Sequence, residues 1–132
     1  MNDHLKNLVE DVDGALGAAV VDLNTGLLLG VYHTIPYFTQ SYLDAVAAAS
    51  VEMLRGKTVQ AVEKMLSAQR GEEVRHMIKE IQMTTDNTYH FMSIVPGKPD
   101  ALLIMVTKRT TNLGMGWTAM RRALEAVAPL CP

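Results

Sequence analysis

One uncharged run near the C-terminus limits what this chain can fold into. Residues Ala101 to Thr107 read Ala-Leu-Leu-Ile-Met-Val-Thr, without a charge, a glycine or a proline. Polar and apolar positions do not alternate along this run, so a strand formed by it is apolar on both faces. Such a strand is stable only where other parts of the protein cover both faces. The run therefore predicts a strand in the middle of a sheet.

A β-hairpin is predicted in the first third of the chain. Two runs of small, aliphatic and β-branched residues extend over Ala15–Leu23 and Leu27–Tyr32. They are joined by Asn24-Thr25-Gly26, a short turn signal that ends in glycine. Two apolar runs with such a connection are typical of antiparallel strands that are neighbours in a sheet.

A second pair of strands is predicted before the central run. The segment from about Met77 to Thr85 alternates roughly, and Thr88–Val95 resumes the strand pattern after the turn candidate Asp86-Asn87. If the two threonines that flank this turn face each other, Met83 lies opposite His90. With the Ala101–Thr107 strand in the centre and the first hairpin beside it, the first of these two strands is expected at an outer edge of the sheet. Its few charges leave this edge open to pairing with another chain.

Four further segments have the spacing of amphipathic helices. The first is expected to be capped by Asn2 or Asp3 and to end at Gly14, and the last follows Asn112 as its N-cap. Between them, one helix begins near Thr39, and Gly56 then ends or kinks it. The remaining helical segment covers Thr58 to Ala68 and closes at Gly71.

The helix that begins near Thr39 is apolar around most of its circumference. Almost every position from Ala45 to Val51 is small or apolar. Such a helix requires one partner on each side, and the sheet supplies only one of them. Together with the edge strand, this unfilled requirement predicts a symmetric homodimer. The residues expected in its interface are Val46, Ala49, Ser50, Met53, Ile81 and Met83.

The elements together predict one domain of class α/β (α+β) over residues 1–132. Their order is helix, two strands, one long or broken helix, three strands and a final helix. The strands are expected to form one five-stranded antiparallel sheet flanked by helices. A chain of 132 residues is long enough to bury its own core without disulfides or metals.

With these elements assigned, the chain resembles the roadblock/LC7 domain family, which has a profilin-like architecture. Four short features, spread over nearly the whole chain, carry the resemblance. They are Val12-Asp13-Gly14-Ala15 after the first helix, Val20-Val21-Asp22-Leu23-Asn24-Thr25-Gly26 in the hairpin, the alanine-rich helix, and Asn112-Leu113-Gly114 before the last helix.

The resemblance implies a dimer formed through the second helix and the third strand. It also implies a non-enzymatic regulator or scaffold, because bacterial members act on small Ras-like GTPases and eukaryotic members are dynein light chains or lysosomal scaffold subunits. The chain departs from the family pattern in an extra helical segment between about Lys57 and Glu73. This segment is expected near the dimerisation elements, so the dimer geometry and the partner surface stay open.

Composition excludes several classes of partner and site. A formal net charge of −2 gives no support to binding of nucleic acid or anionic membranes. The single cysteine, Cys131, has no internal disulfide partner, and the first residues lack the layout of a signal peptide. No apolar run approaches the roughly 20 residues that span a bilayer. We therefore expect a cytoplasmic protein, and the resemblance implies a bacterial or archaeal one.

Two glycine motifs imitate nucleotide sites. Arg55-Gly56-Lys57-Thr58 resembles the end of a phosphate-binding loop, but position 51 is valine instead of glycine and a helix precedes the motif. Gly114, Gly116 and Ala119 match G-x-G-x-x-A after a strand, but no further strand with an acidic residue follows. The preferred interpretation is that these glycines let the helix pack closely on the sheet.

No other motif indicates catalysis or cofactor binding. The histidines His4, His33, His76 and His90 lack metal-site spacing, and no serine has a nucleophile-elbow motif around it. We predict no catalytic residue, no cofactor and no metal. Three arginines after the central strand are the candidates for contact with a partner, and Glu125 is positioned to pair with one of them. These arginines are Arg109, Arg121 and Arg122.

The leading hypothesis is therefore a homodimeric, non-enzymatic regulator or scaffold that binds a small GTPase or a related partner. The alternative is a small-ligand sensor of profilin-, PAS- or GAF-like architecture. A ligand cavity between the sheet and the helices distinguishes this alternative from the first hypothesis. An enzyme is the third possibility, for which the sequence offers no candidate residues.

Overall fold

The computed structural model describes residues 1–132 and contains five strands, four α-helices and a final 3₁₀ turn. The helices are α1 (Asn2–Asp11), α2 (Gln40–Arg55), α3 (Lys57–Arg70) and α4 (Leu113–Val127), and Ala128–Leu130 forms the 3₁₀ turn. The strands are β1 (Ala15–Asp22), β2 (Leu28–His33), β3 (Glu80–Thr84), β4 (Thr88–Val95) and β5 (Lys98–Lys108).

The strands form one antiparallel sheet in the order β2-β1-β5-β4-β3, so β5 is its central strand as predicted. Every residue from Ala101 to Thr107 is buried. Alternate side chains of β5 enter two separate cores, one on each face of the sheet. The sequence run lacks alternation because both of its sides are covered.

Different helices cover the two faces of the sheet. On one face, α1 and α4 pack over a core that includes Leu5, Leu103 and Met120, and we call this the α4 face. On the other face, α2 packs over a smaller core that includes Leu54 and Ile104, and we call this the α2 face. The five-stranded antiparallel sheet flanked by helices is therefore confirmed.

The β3–β4 hairpin has the predicted register, with Met83 opposite His90. However, β3 begins at Glu80 and not near Met77 as the alternating pattern indicated. The reason is a competing partner, because the amide of Met77 donates a 2.8 Å hydrogen bond to the carboxylate of Glu63. The chain before Glu80 is thereby held towards α3.

The predicted cap of the first helix is wrong. The N-cap position of α1 is Met1, and no side chain caps the helix. The side chain of Asn2 instead accepts a 3.2 Å hydrogen bond from the amide of Val31 on β2. The side chain of Asn2 therefore bonds to an amide at the edge of the sheet and does not cap the helix. Asp3 forms no cap either.

The packing interpretation of the second glycine motif fits the structure. Asn112 caps α4 as predicted, accepting a 3.0 Å hydrogen bond from the amide of Met115. Gly116 faces the sheet, where a Cβ atom would lie 2.6 Å from a ring carbon of Phe91. Gly114, two residues earlier, is exposed and has only the Asn112 side chain near such an atom, at 3.4 Å.

This difference between the two glycines generates a matched pair of variants. We expect Gly116→Ala to lower the free energy of unfolding by about 1–3 kcal/mol, because the added methyl group overlaps the Phe91 ring. Gly114→Ala is expected to stay within about 1 kcal/mol of the wild type, on the stabilising side. Urea denaturation followed by circular dichroism measures both, and equal stability of the two variants would contradict the packing role.

Candidate interaction surface

The helix α2 uses one side for the core and leaves the other to solvent. Ala47, Ser50 and Leu54 are buried against the sheet. Ala45, Ala48 and Ala49 are exposed on the opposite side and at its margin. The sequence prediction that one side of this apolar helix lacks a partner within the chain agrees with this exposure.

The six residues expected in a dimer interface lie on the α2 side of the molecule, but they differ in accessibility. Ala49 is exposed, and Val46 and Met53 are half-buried. Ser50 is 0% exposed and donates a 2.8 Å hydrogen bond to the carbonyl of Val46, so its side chain offers no surface to another chain. The other two residues, on β3, are half-buried at the margin of the α2-face core; they are Ile81 and Met83.

The outer edge of β3 has unpaired backbone groups. Thr85 and Lys79, which flank β3, bond to β4 through their backbone atoms. Because hydrogen-bonded pairs alternate along an antiparallel ladder, the amides and carbonyls of Glu80, Gln82 and Thr84 point away from β4. No other strand lies beyond them.

At the other edge of the sheet, the chain itself supplies a partner for one outward backbone group. At β2, the start of α1 packs over Gly30, and Asn2 accepts the hydrogen bond of an edge amide. The two edges are therefore unequal. At β2 the outward amide of Val31 already has a partner, whereas the outward backbone groups of β3 remain available to an added strand.

Side chains on the α4 face hold β3 in place. Trp117 donates a 2.9 Å hydrogen bond from Nε1 to the side chain of Gln82. Arg121 forms a salt bridge of 3.3 Å with Glu80, and it does not form the predicted pair with Glu125. The prediction considered only neighbours on the same helix, whereas the fold brings the acidic residue of β3 within reach. These two contacts favour an extended conformation of β3 within the single chain.

The three arginines proposed for partner contact do not form one cluster. Arg109 lies over the ring of Tyr89 at 5.8 Å, and Arg121 lies over the ring of Trp117 at 5.4 Å. Both are therefore near the aromatic residues on the α4 face of β4. Arg122 lies on the other flank of α4, in a shallow groove next to α1.

The extra helical segment forms α3, and it contacts its own chain through its polar side. Glu63 is buried and accepts the amide of Met77, while Ser67 accepts the amide of Val74 at 2.8 Å. Val62 and Met65 are 41% and 63% exposed on the apolar side. Since the helix is held by polar contacts, the sequence pattern alone did not indicate which side faces inward.

The junction between α2 and α3 is fixed to the start of β5. Arg55 forms a 2.8 Å salt bridge with Asp100 and also donates a hydrogen bond to the carbonyl of Pro99. The hydrogen bond from Arg55 lowers the pKa of Asp100 below its ordinary value. Burial, followed by the charges of Arg55 and Arg75, lowers the pKa of His76.

The space between the sheet and α2 is small. An apolar crevice of about 30 Å³ lies between β1, β2 and the first half of α2, next to Phe38 and Tyr42. Sites for small ligands usually measure roughly 300–1,000 Å³. Two larger grooves, of about 630 and 340 Å³, are open to solvent and have several charged side chains in their lining. The crevice gives no support to the alternative of a ligand sensor.

The arrangement of titratable groups does not indicate a metal site or a catalytic centre. No group of three or more histidine, cysteine and acidic side chains comes together to hold a metal ion. The thiol of Cys131 is buried, and burial raises its pKa. Exposed small side chains on the outer side of α2 and unpaired backbone groups at the β3 edge are the features that the structure leaves open on this side of the molecule.

Comparison with solved structures places the fold. No protein-family model and no curated protein matches the sequence. A roadblock/LC7 domain from Streptomyces avermitilis superposes with a TM-score of 0.70 at 16% identity, over 98% of this chain and 96% of that one. The chain therefore has the roadblock/LC7 fold, as the short sequence motifs indicated.

Within this fold, the chain is similar to the MglB proteins. MglB of Myxococcus xanthus gives a TM-score of 0.71 at 17% identity, over 98% of this chain and 92% of that one. The gliding protein MglB of Thermus thermophilus gives 0.74 at 22% identity, over 98% and 86%. At these identities the likeness concerns the fold.

None of the helices has the length and apolar character that crossing a bilayer requires.

The contacts of α3 generate a second prediction. Glu63→Ala removes the charged acceptor of the Met77 amide. Loss of such a hydrogen bond raises local opening by about 10- to 100-fold. We expect hydrogen exchange at Met77 and Val74 to accelerate by that factor. Glu73→Ala is the control, because it changes an exposed carboxylate in the 340 Å³ groove beside α3. Unchanged exchange in Glu63→Ala would show that other contacts hold α3.

Proposed function

We propose that this chain is a non-enzymatic regulator or scaffold that acts as a homodimer. In the dimer, the β3 strands of two copies pair edge to edge, and the stripes of Val46, Ala49 and Met53 on the two α2 helices face each other above the joined sheet. The interface includes Val46, Ala49, Met53, Ile81 and Met83. Their exposed or half-buried positions leave apolar surface for a second copy.

The single observation that carries this proposal is the inequality of the two sheet edges. At the β2 edge Asn2 accepts the amide of Val31, whereas β3 presents the backbone groups of Glu80, Gln82 and Thr84 without a partner. The contacts of Trp117 and Arg121 hold this edge extended, so pairing costs little additional ordering. Across a two-fold axis, the outward backbone groups of β3 in one copy can bond to those of β3 in the other.

The partner that we propose is a small Ras-like GTPase or a related regulatory protein. The likeness to MglB and to roadblock/LC7 domains supports this choice. Arg109, Arg121 and Arg122 are exposed and are proposed as partner contacts. A regulator of this kind works by binding one nucleotide state of its partner more tightly than the other.

Two single variants test the dimer. Thr84→Pro removes an outward-facing amide without removing a hydrogen bond to β4, and proline is tolerated at a strand edge. Ala49→Arg places a charged side chain on the outer side of α2. We expect each variant to be a folded monomer in sedimentation velocity at a concentration where the wild type is a dimer.

The matched control is Ala48→Arg, which carries the same charge about 100° further round the helix. We expect this variant to remain a dimer, since Ala48 lies off the stripe formed by Val46, Ala49 and Met53. A wild-type chain that is monomeric at every concentration would contradict the proposed dimer. A dimer that survives both Thr84→Pro and Ala49→Arg would place the interface elsewhere.

The partner is tested by affinity capture from the source cell, with bound proteins identified by mass spectrometry. We expect a small GTP-binding protein on the wild-type chain and several-fold less of it on Arg109→Glu combined with Arg122→Glu. Neither arginine contacts β3 or the outer side of α2, so this double variant should remain a dimer. Arg70→Glu, an exposed change on α3, is the control. Capture without any GTP-binding protein would contradict the proposed partner.

A further inference from the structure

His90 has the only buried polar side-chain atom that lacks a hydrogen-bond partner in this structure. The residue is 9% exposed. The Nε2 atom lies 3.1 Å from the hydroxyl of Thr88, whereas Nδ1 has neither a donor nor an acceptor beside it. A buried polar group without a partner is costly, so its position in a fold calls for an explanation.

His90 lies next to the edge that we propose for dimerisation. It is on β4, one strand inside β3, and directly opposite Met83. Because residues that face each other across two strands point to the same side, His90 points to the α2 face, as Met83 does. A second copy that covers Met83 also covers the remaining exposed part of His90.

The groups that face His90 carry no charge that would stabilise a protonated imidazole. Its neighbours across the sheet are Met83 on β3 and Val106 on β5. The residues that α2 buries towards this face, Ala47, Ser50 and Leu54, are also uncharged. Along β5, the nearest charged residue on this face is Lys108, a cation with an exposed side chain.

Protonation would therefore add two unfavourable features at one place. It puts a positive charge in an apolar environment, and it turns Nδ1 and Nε2 both into donors although only Nε2 has a neighbour. Burial, with no contribution from a charged group, holds the pKa of His90 below its ordinary value. Further covering of the ring by a second copy disfavours the charged form more strongly.

We propose that His90 makes self-association sensitive to acid, so that the dimer dissociates when this histidine is protonated. The inference rests on the proposed dimer and adds a means of regulating it. The chemistry requires only a proton from solvent. A partner that binds the dimer would accordingly be released under mildly acidic conditions.

The direction of the effect follows from linkage between proton binding and association. Above about pH 6.5, the ordinary value for histidine, His90 is neutral in monomer and dimer, and the dissociation constant of the dimer is constant. The dissociation constant rises only as the pH falls through the lowered pKa of His90 in the monomer, because the monomer then takes up the proton more readily than the dimer. With one site per chain, the rise is at most about 100-fold per pH unit.

Sedimentation equilibrium at pH 7.5, 6.5 and 5.5 tests the inference. We expect the dissociation constant of the wild type to rise by more than about threefold between the first and the last pH, because only part of the titration of a histidine of lowered pKa falls in this range. His90→Met keeps an apolar side chain of similar size and should give a dissociation constant that changes less than about threefold. His76→Gln is the matched control, because it removes another histidine of lowered pKa, located in the groove beside α3, and should keep the wild-type response.

Circular dichroism at each pH establishes that the chains remain folded, so that a loss of dimer is not a loss of structure. If His90→Met does not fold, the ring of His90 is titrated by NMR in the wild-type dimer and in the monomer Thr84→Pro. A lower pKa in the dimer supports the inference, and equal values overturn it.

The possible failures can be told apart. A dimer whose dissociation constant does not change with pH, or an equal change in His90→Met, overturns the role of His90 and leaves the proposed dimer intact. A wild-type chain that is monomeric at all three pH values overturns both proposals. If His76→Gln also loses the change of dissociation constant with pH, the pH response belongs to the groove beside α3 and the role of His90 is overturned.

Discussion

The structure depends on the burial of β5 on both of its faces. Leu103 and Met105 enter one core, and Leu102 and Ile104 enter the other, so neither set can be exposed without losing apolar burial. The hairpin of β1 and β2 must therefore join one side of β5, and the hairpin of β3 and β4 must join the other. Helices then have to cover both faces, with α1 and α4 on one and α2 on the other.

The same constraint produces the two unequal edges. With two strands on each side of the central β5, β2 and β3 are outermost, and the chain has only one N-terminal helix to lay beside an edge. That helix covers β2, where Asn2 bonds to Val31. On the other side, Trp117 and Arg121 hold β3 from the α4 face and leave its outer backbone free. A well-ordered edge without a partner is the physical basis of the proposed dimer.

The proposed regulation of self-association depends on where His90 lies in the sheet. The position opposite Met83 faces the smaller core, so an aliphatic side chain would fit there without cost. The imidazole instead leaves Nδ1 without a partner. Because the ring lies one strand from the free edge, a proton taken up there changes what a second copy of the chain must cover. Fold and proposed control of assembly thus share the same face of the sheet.

The sequence by itself determined the order of the elements, the central place of Ala101–Thr107 and the register of β3 and β4, because short-range periodicity and turn residues encode them. It also indicated the roadblock/LC7 fold. Only the tertiary structure decided that Asn2 serves β2, that Ser50 is inaccessible, that Arg121 pairs with Glu80 and that α3 packs by its polar side. Each depends on groups distant in sequence that compete for one hydrogen bond or one buried position, and local patterns contain no record of that competition.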